Sequence, residues 1–181
     1  SSSPDEEALV YFTRSQKYIL TNRSIDNIIT LEINGENKKY ELLNILEYSS
    51  ERKRMSVVCK TEEGKIILYA KGADSIIEKL LKINDDNNTK ILDITKNYLS
   101  NFAEKGYRTL MIAYKEIDKQ IYKEWNDKMN NELKNPNHKD EDIYLLYDEL
   151  EIDLNIIGST AIEDSLQAGV DDTIQSMLST G

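Results

Sequence analysis

The stretch LEYSSERKRMSVVCKTEEGKIILYAKGAD, residues 46–74, decides how this chain is read. Two segments rich in apolar and β-branched residues, RMSVVCKT at 54–61 and KIILYAK at 65–71, flank the turn sequence EEG. That pattern predicts a pair of short strands joined by a tight turn. The stretch is also basic for this protein: Glu51 to Gly72 carries six cations against three acids, in a chain whose net charge is −10. Tyr48, the run Arg52, Lys53 and Arg54, and the pair Lys71 and Gly72 lie at or near strand ends. A ring to stack on and cations to pair with suit an aromatic anion, and a nucleotide fits that description.

Each of these residues also has a plainer reading. Tyr48 is one of eleven tyrosines and can be a packed residue at the sheet's rim. Lys71 can be a solvated lysine before a small-residue turn, or its ammonium and the first N–H groups of a following helix can meet phosphate. In an extended segment Arg52 and Arg54 share one face and Lys53 takes the other. Such a run most often guards a solvated turn or an edge strand. Arg108, at the head of an apolar strand, is a phosphate ligand or a strand-end charge. KGAD is not the phosphate-binding pattern GxxxxGK followed by Ser or Thr, and no GxGxxG occurs.

Outward from the hairpin, YILTNR, NIITLEI and KKYELLNILEY precede it as three further strands with turns at NRSIDN, NGEN and SSERK, an antiparallel meander of five. SPDEEALVYF at 3–12 begins a helix, with Ser3 as N-cap, Pro4 at N1, acids in the first turn, Leu9, Val10 and Phe12 inward, and an end near Gln16. After Lys71, GADSIIEKLLK forms a short amphipathic helix and NDDNNTK at 84–90 a polar loop. ILDITKNYLSNFAEKG is a second helix closed by Gly106 at C′, and YRTLMIAYKEI a sixth strand. A charged helix over 118–133 containing Trp125, a loop NPNHKDED, a helix at 143–150, the strand LNIIGSTAI and a last helix in VDDTIQSMLSTG complete the chain. The last helix meets the terminus, as in a piece of a longer polypeptide.

Composition narrows the function. One cysteine, Cys59, and one histidine, His138, make no disulfide and no all-nitrogen-and-sulfur zinc site, and a reducing, cytosolic setting is expected. No apolar run approaches the ~20 residues that cross a bilayer, and the acidic N-terminus is no signal peptide. The negative charge lies in residues 135–181, where Lys139 faces eleven acids, while residues 1–134 balance at 22 of each sign. General nucleic-acid binding, which needs a basic face to displace counterions, is excluded on that ground. No catalytic constellation stands out. His138 lies in a loop without a nucleophile beside it, and the acids Glu163 and Asp164 give no sign of a buried pair.

Taken together, five segments resemble the nucleotide-binding (N) domain of P-type ATPases, specifically the P4 branch of phospholipid flippases. SPDEEALV at 3–10 is similar to that branch's SPDExALV, LEYSSERKRMSV at 46–57 to LEFxSxRKRMSV, and KGADSII at 71–77 to its KGAD segment. NFAEKGYRTLMIAY at 101–114 resembles FAxxGLRTLxxAx, and IIGSTAIEDSLQAGVDDTI at 156–174 resembles LGATAIEDKLQxxVPxTI. Two departures are Tyr48 where the branch usually has Phe, which keeps the stacking ring but adds a hydroxyl needing a partner, and YRTL for LRTL, which leaves Arg108 in place.

The resemblance implies an α+β fold, an antiparallel six- to seven-stranded sheet flanked by helices, with residues 1–158 the nucleotide-binding domain and 159–181 the hinge and the start of a phosphorylation domain. It implies ATP as ligand, with Glu6 on the adenine amino edge, Tyr48 stacked on the ring, Lys71 at the inner end of the pocket, Arg108 on the phosphates and Lys53 guiding them. The family's phosphorylated aspartate would precede Ser1 and its TGD motif follow Gly181, because Thr180 and Gly181 fall too early to be it. Mg²⁺ ligands would lie outside this chain, so the isolated domain would bind ATP weakly, at roughly −4 kcal/mol, without hydrolysing it. Implied partners are the phosphorylation and actuator domains of the same polypeptide and an accessory subunit, in a cytosolic part of an integral membrane protein. Two other readings are a nucleotide-sensing, flippase-like regulatory module, as in a fusion to a guanylyl cyclase, and an interaction protein using its acidic C-terminal half.

Overall fold

The hairpin forms as its sequence predicts. In the computed structural model, which describes residues 3–82, 84–163 and 175–178, β4 (Arg54–Thr61) pairs antiparallel with β5 (Ile66–Gly72), Arg54 opposite Gly72 and Met55 opposite Lys71. β1 (Tyr18–Arg23), β2 (Ile28–Ile33) and β3 (Glu36–Leu46) precede the pair, and β6 (Arg108–Ile117) and β7 (Asn155–Ile162) follow it. The seven strands lie in sequence order, each antiparallel to the next. The expected α+β class and antiparallel sheet are therefore observed.

Helices fill the two long connections. α2 (Asp74–Leu80) and α3 (Asp86–Glu104) join β5 to β6, and α4 (Lys119–Lys134) and α5 (Asp140–Leu150) join β6 to β7. Alternation along the strands sends Val58, Leu68, Ala70, Met111, Ala113 and Ile156 to one face, where Ile77, Leu99, Trp125, Met129, Ile143, Tyr147 and Leu150 of the four helices meet them in one core. Trp125 anchors α4 against α5 by donating its indole N–H to the Leu146 carbonyl at 2.7 Å. The expected charged helix thus has one buried stripe, and only its remaining face is solvated.

The opposite face of the sheet receives α1 (Pro4–Ser15), capped by Ser3 as expected. No residue of α1 is buried, and Val10 and Phe12, expected inward, are each 62% exposed. The helix meets the sheet through its acidic first turn, so its apolar residues are not sandwiched as the core helices' are. Phe12 borders a groove shared with Phe102, Tyr107 and β7.

Residues 84–90 also differ from the expected polar loop. Asp85 caps α3 by accepting from the Asn88 N–H at 2.9 Å, so most of the expected polar loop is helix. Asn88 is buried, donates to the carbonyls of Lys82 and Leu154, and accepts from the Ile156 N–H at 3.0 Å. An amide with both ends satisfied can replace ladder hydrogen bonds where a strand begins. Gly106, with φ +73°, does follow α3 in the left-handed conformation expected of a C′ residue. α5 begins at Asp140, inside the stretch expected as loop, because its acids favour a first turn.

β7 carries the sheet through Ser159 to Ile162, past residue 158. Asp164, the segment 164–174 and the terminal Thr180 and Gly181 lie outside the described residues. Of the expected last helix only 175–178 are described, and they are helical. Among the described residues no helix is long and apolar enough to cross a membrane.

Candidate nucleotide-binding pocket

Five residues singled out from the sequence, Glu6, Tyr48, Lys53, Lys71 and Arg108, line one pocket of about 740 Å³. Four separate pieces of chain build it. α1 supplies Glu6 from its first turn, the β3–β4 loop supplies Tyr48 and Lys53, β5 supplies Lys71 as its penultimate residue, next to Gly72, and β6 supplies Arg108 at its first residue. Met55 and Leu110, on the sheet face away from the core, form its apolar floor. The volume falls within the ~300–1,000 Å³ typical of small-molecule sites.

Two ion pairs set the electrostatics. The Lys71 ammonium pairs with the Glu6 carboxylate, both partly exposed, and the Arg108 guanidinium lies 2.9 Å from the Asp5 carboxylate. Asp5, which also lines the pocket, was not singled out in the sequence; its place next to Glu6 in a first turn is the signal that could have found it. Tyr48 is 60% exposed, leaving much of its ring open to a partner. β3 ends at Leu46, so Tyr48 stands in the loop beyond the strand.

The other cations of the basic run do different work. Lys53 is exposed and faces the pocket, whereas Arg52 and Arg54 are buried on the opposite side, neither solvated nor available to an anion. Lys53 and the two arginines do take opposite sides, but through a turn in which Lys53 has φ +51° and not through an extended segment, and the expected solvation of the arginines is not observed. Their destination is Glu151, at the C-terminus of α5, which is itself 0% exposed. No local sequence signal marks this acid, which lies almost a hundred residues from the arginines.

Nor does the start of α2 supply anion-binding N–H groups. The Ala73 N–H donates to the Lys53 carbonyl at 3.0 Å and the Ser75 N–H to the Asp74 carboxylate at 2.7 Å. The Ala73 bond instead stitches the β5–α2 junction to the β3–β4 loop, and Lys53 adopts φ +51° to make that turn. Gly72 is required at this crossing: a Cβ there would fall 2.6 Å from Arg54 Cβ and 2.7 Å from the Lys53 carbonyl oxygen.

A shallow apolar trough continues from the pocket along the same sheet face, past Val57, Tyr69 and Ile112. Burial lifts the Tyr69 phenol and the Cys59 thiol above their ordinary pKa values, so both stay neutral near pH 7. Among the described residues no group of three or more His, Cys, Asp or Glu side chains could hold a metal ion. His138 donates from Nδ1 within its own turn, to the Asn135 carbonyl at 2.8 Å, as its loop position implied.

A seven-stranded antiparallel meander with helices packed on one face and a charged, ring-bearing pocket at its rim is the architecture of a P-type ATPase nucleotide-binding domain. The family described as P-type ATPase, cytoplasmic domain N, matches residues 1–169, and the chain belongs to it. Within that family its similarity is to the phospholipid-transporting branch. It is 41% identical over 174 residues to phospholipid-transporting ATPase FetA of Mus musculus, covering 96% of this chain and 14% of that protein. It is 43% identical over 176 residues to the probable phospholipid-transporting ATPase IM of Homo sapiens, with 97% and 14% covered. Phospholipid-transporting ATPase IC of Homo sapiens is 40% identical over 178 residues, with 98% and 14% covered. The chain therefore spans about one seventh of the length of these relatives.

Proposed function

We propose that this domain binds ATP in the pocket between α1, the β3–β4 loop, β5 and β6, and presents it for phosphoryl transfer within an ATP-driven phospholipid flippase. The observation that carries this reading is the convergence of Glu6, Tyr48, Lys53, Lys71 and Arg108 from four pieces of chain onto one cavity. The base stacks on Tyr48 with its amino edge toward Glu6, Lys71 closes the inner end, and Arg108 and Lys53 hold the phosphates. The γ-phosphate then goes to an aspartate of the phosphorylation domain in the same polypeptide, with Mg²⁺ neutralising charge as the phosphoryl group transfers. Mg²⁺ ligands come from that domain. Residues 159–181 lead into it, the domain works on the cytosolic side of the membrane, and the actuator domain and an accessory subunit complete the machine.

Affinities of the wild type and of two variants test the binding roles. Tyr48→Ala is expected to weaken ATP and adenosine alike by about tenfold, the scale of one lost base stack. Arg108→Ala is expected to weaken ATP while leaving adenosine unchanged, since a nucleoside has no phosphate to lose. ATP affinity indifferent to both substitutions would overturn the reading.

A further inference from the structure

We propose that the buried carboxylate of Glu151 is a positioning residue for the nucleotide pocket, acting through Arg52 and Arg54 on the loop that carries Tyr48 and Lys53. The inference rests on the ATP-binding reading for its ligand, but its geometry stands on its own.

Glu151 lies on the core side of the sheet, and three side chains from the hairpin converge on it. Oε2 accepts from Arg52 Nη2 at 2.5 Å and from Arg54 Nε at 2.8 Å, and Oε1 accepts from Ser56 Oγ at 2.5 Å. Arg54 also pairs with Asp148, one turn back on α5. The Arg52 guanidinium lies over the Tyr147 ring at 4.7 Å and donates from Nη1 to the Glu47 carbonyl at 2.7 Å. That last bond closes the circuit, because Glu47 is the residue before Tyr48. One guanidinium therefore holds both ends of the loop, its own backbone and the peptide entering Tyr48.

The loop is braced from inside as well. The Arg52 N–H donates to Ser49 Oγ at 3.1 Å, and the Lys53 N–H donates to the Ser49 carbonyl at 2.8 Å. On the pocket side the Lys53 carbonyl accepts from Ala73, two residues after Lys71. The loop is thus clamped between α5 on one side and the β5–α2 junction on the other. A buried carboxylate with two arginines on one oxygen and a serine hydroxyl on the other leaves its donors little freedom, which suits it to fixing a ring and an ammonium in place. Removing the charge on Glu151 unlocks the loop, and a ligand must then order Tyr48 and Lys53 as it binds.

The test compares Glu151→Gln, which keeps the shape and loses the charge, with Ile66→Ala, a core truncation at the far end of β5 from Lys71. Both lower the melting temperature. Only Glu151→Gln is expected to weaken ATP, by about tenfold for two side chains left to be ordered on binding, and to raise the backbone mobility of residues 47–53 in NMR relaxation. If the two variants bind ATP equally, or if that loop is as rigid in Glu151→Gln as in wild type, the clamp is structural only and the proposal is wrong. Should Glu151→Gln not fold, hydrogen exchange in the wild type decides. Saturating ATP is expected to slow the amides at the end of α5, where the Glu151 N–H bonds the Tyr147 carbonyl, and no slowing there overturns the clamp. Wild type that fails to bind ATP at all refutes the nucleotide reading, and the loop-mobility comparison then still judges the clamp.

Discussion

Glu151→Ala is expected to destabilise the domain by about 3–5 kcal/mol, the cost of leaving buried charges without their partner. Arg52 and Arg54 are 5% and 7% exposed, and both pair with this one carboxylate. Arg54 keeps Asp148, whose side chain is 56% exposed, but Arg52 keeps no carboxylate, just a peptide carbonyl and the faces of Tyr144 and Tyr147. For a domain of this size such a loss lowers the melting temperature by roughly 10 °C. Adding Arg52→Met to Glu151→Ala is expected to recover part of that loss, since a buried ion network exchanged for apolar packing is often close to neutral. Urea denaturation of the three proteins measures both effects. A single-variant loss below about 1 kcal/mol would place the pair in water, where exposed ion pairs have that small worth.

Gly72→Ala is expected to damage stability and binding together. The new methyl meets Arg54 Cβ at 2.6 Å and the Lys53 carbonyl oxygen at 2.7 Å. These atoms belong to the neighbouring strand and its entry loop, so no rotamer change relieves the clash. Overpacking of this kind costs about 1–3 kcal/mol, and here the entry loop that must move with β4 carries Lys53, while β5, which moves it, carries Lys71. ATP affinity is expected to fall by about tenfold or more, because Lys71 at the inner end of the pocket and Lys53 on the phosphates lose their register together. A variant with a wild-type melting temperature and wild-type affinity would show that β4 and β5 tolerate separation at this crossing.

The strand pattern was legible because each strand carries its own local signal: alternating or β-branched runs bounded by NG, EEG and NRSID turns. The pocket was legible for a different reason. Glu6, Tyr48, Lys53, Lys71 and Arg108 are named by the resemblance of SPDEEALV, LEYSSERKRMSV, KGADSII and NFAEKGYRTLMIAY to the flippase segments, whereas residue chemistry alone leaves each of them open to a plainer reading. What escaped were residues whose meaning depends on distant partners. Asn88 reads as loop because polar side chains favour turns, yet it is buried with its amide bound to β7 and the 80–82 connection. Arg52 and Arg54 read as solvated because the acid that receives them is separated by 99 and 97 residues. Val10 and Phe12 read as inward because apolar spacing names a face but not what covers it.

The central claim, that ATP occupies this pocket, is tested most directly by following backbone and side-chain resonances of the isotope-labelled domain during titration with ATP up to ~10 mM, well above a millimolar dissociation constant. Saturable shifts are expected at Glu6, Tyr48, Lys53, Lys71 and Arg108, with little change at the far ends of β5 and β6 around Ile66 and Ile117. No saturable shift at these five residues, or shifts centred on another surface, would contradict it.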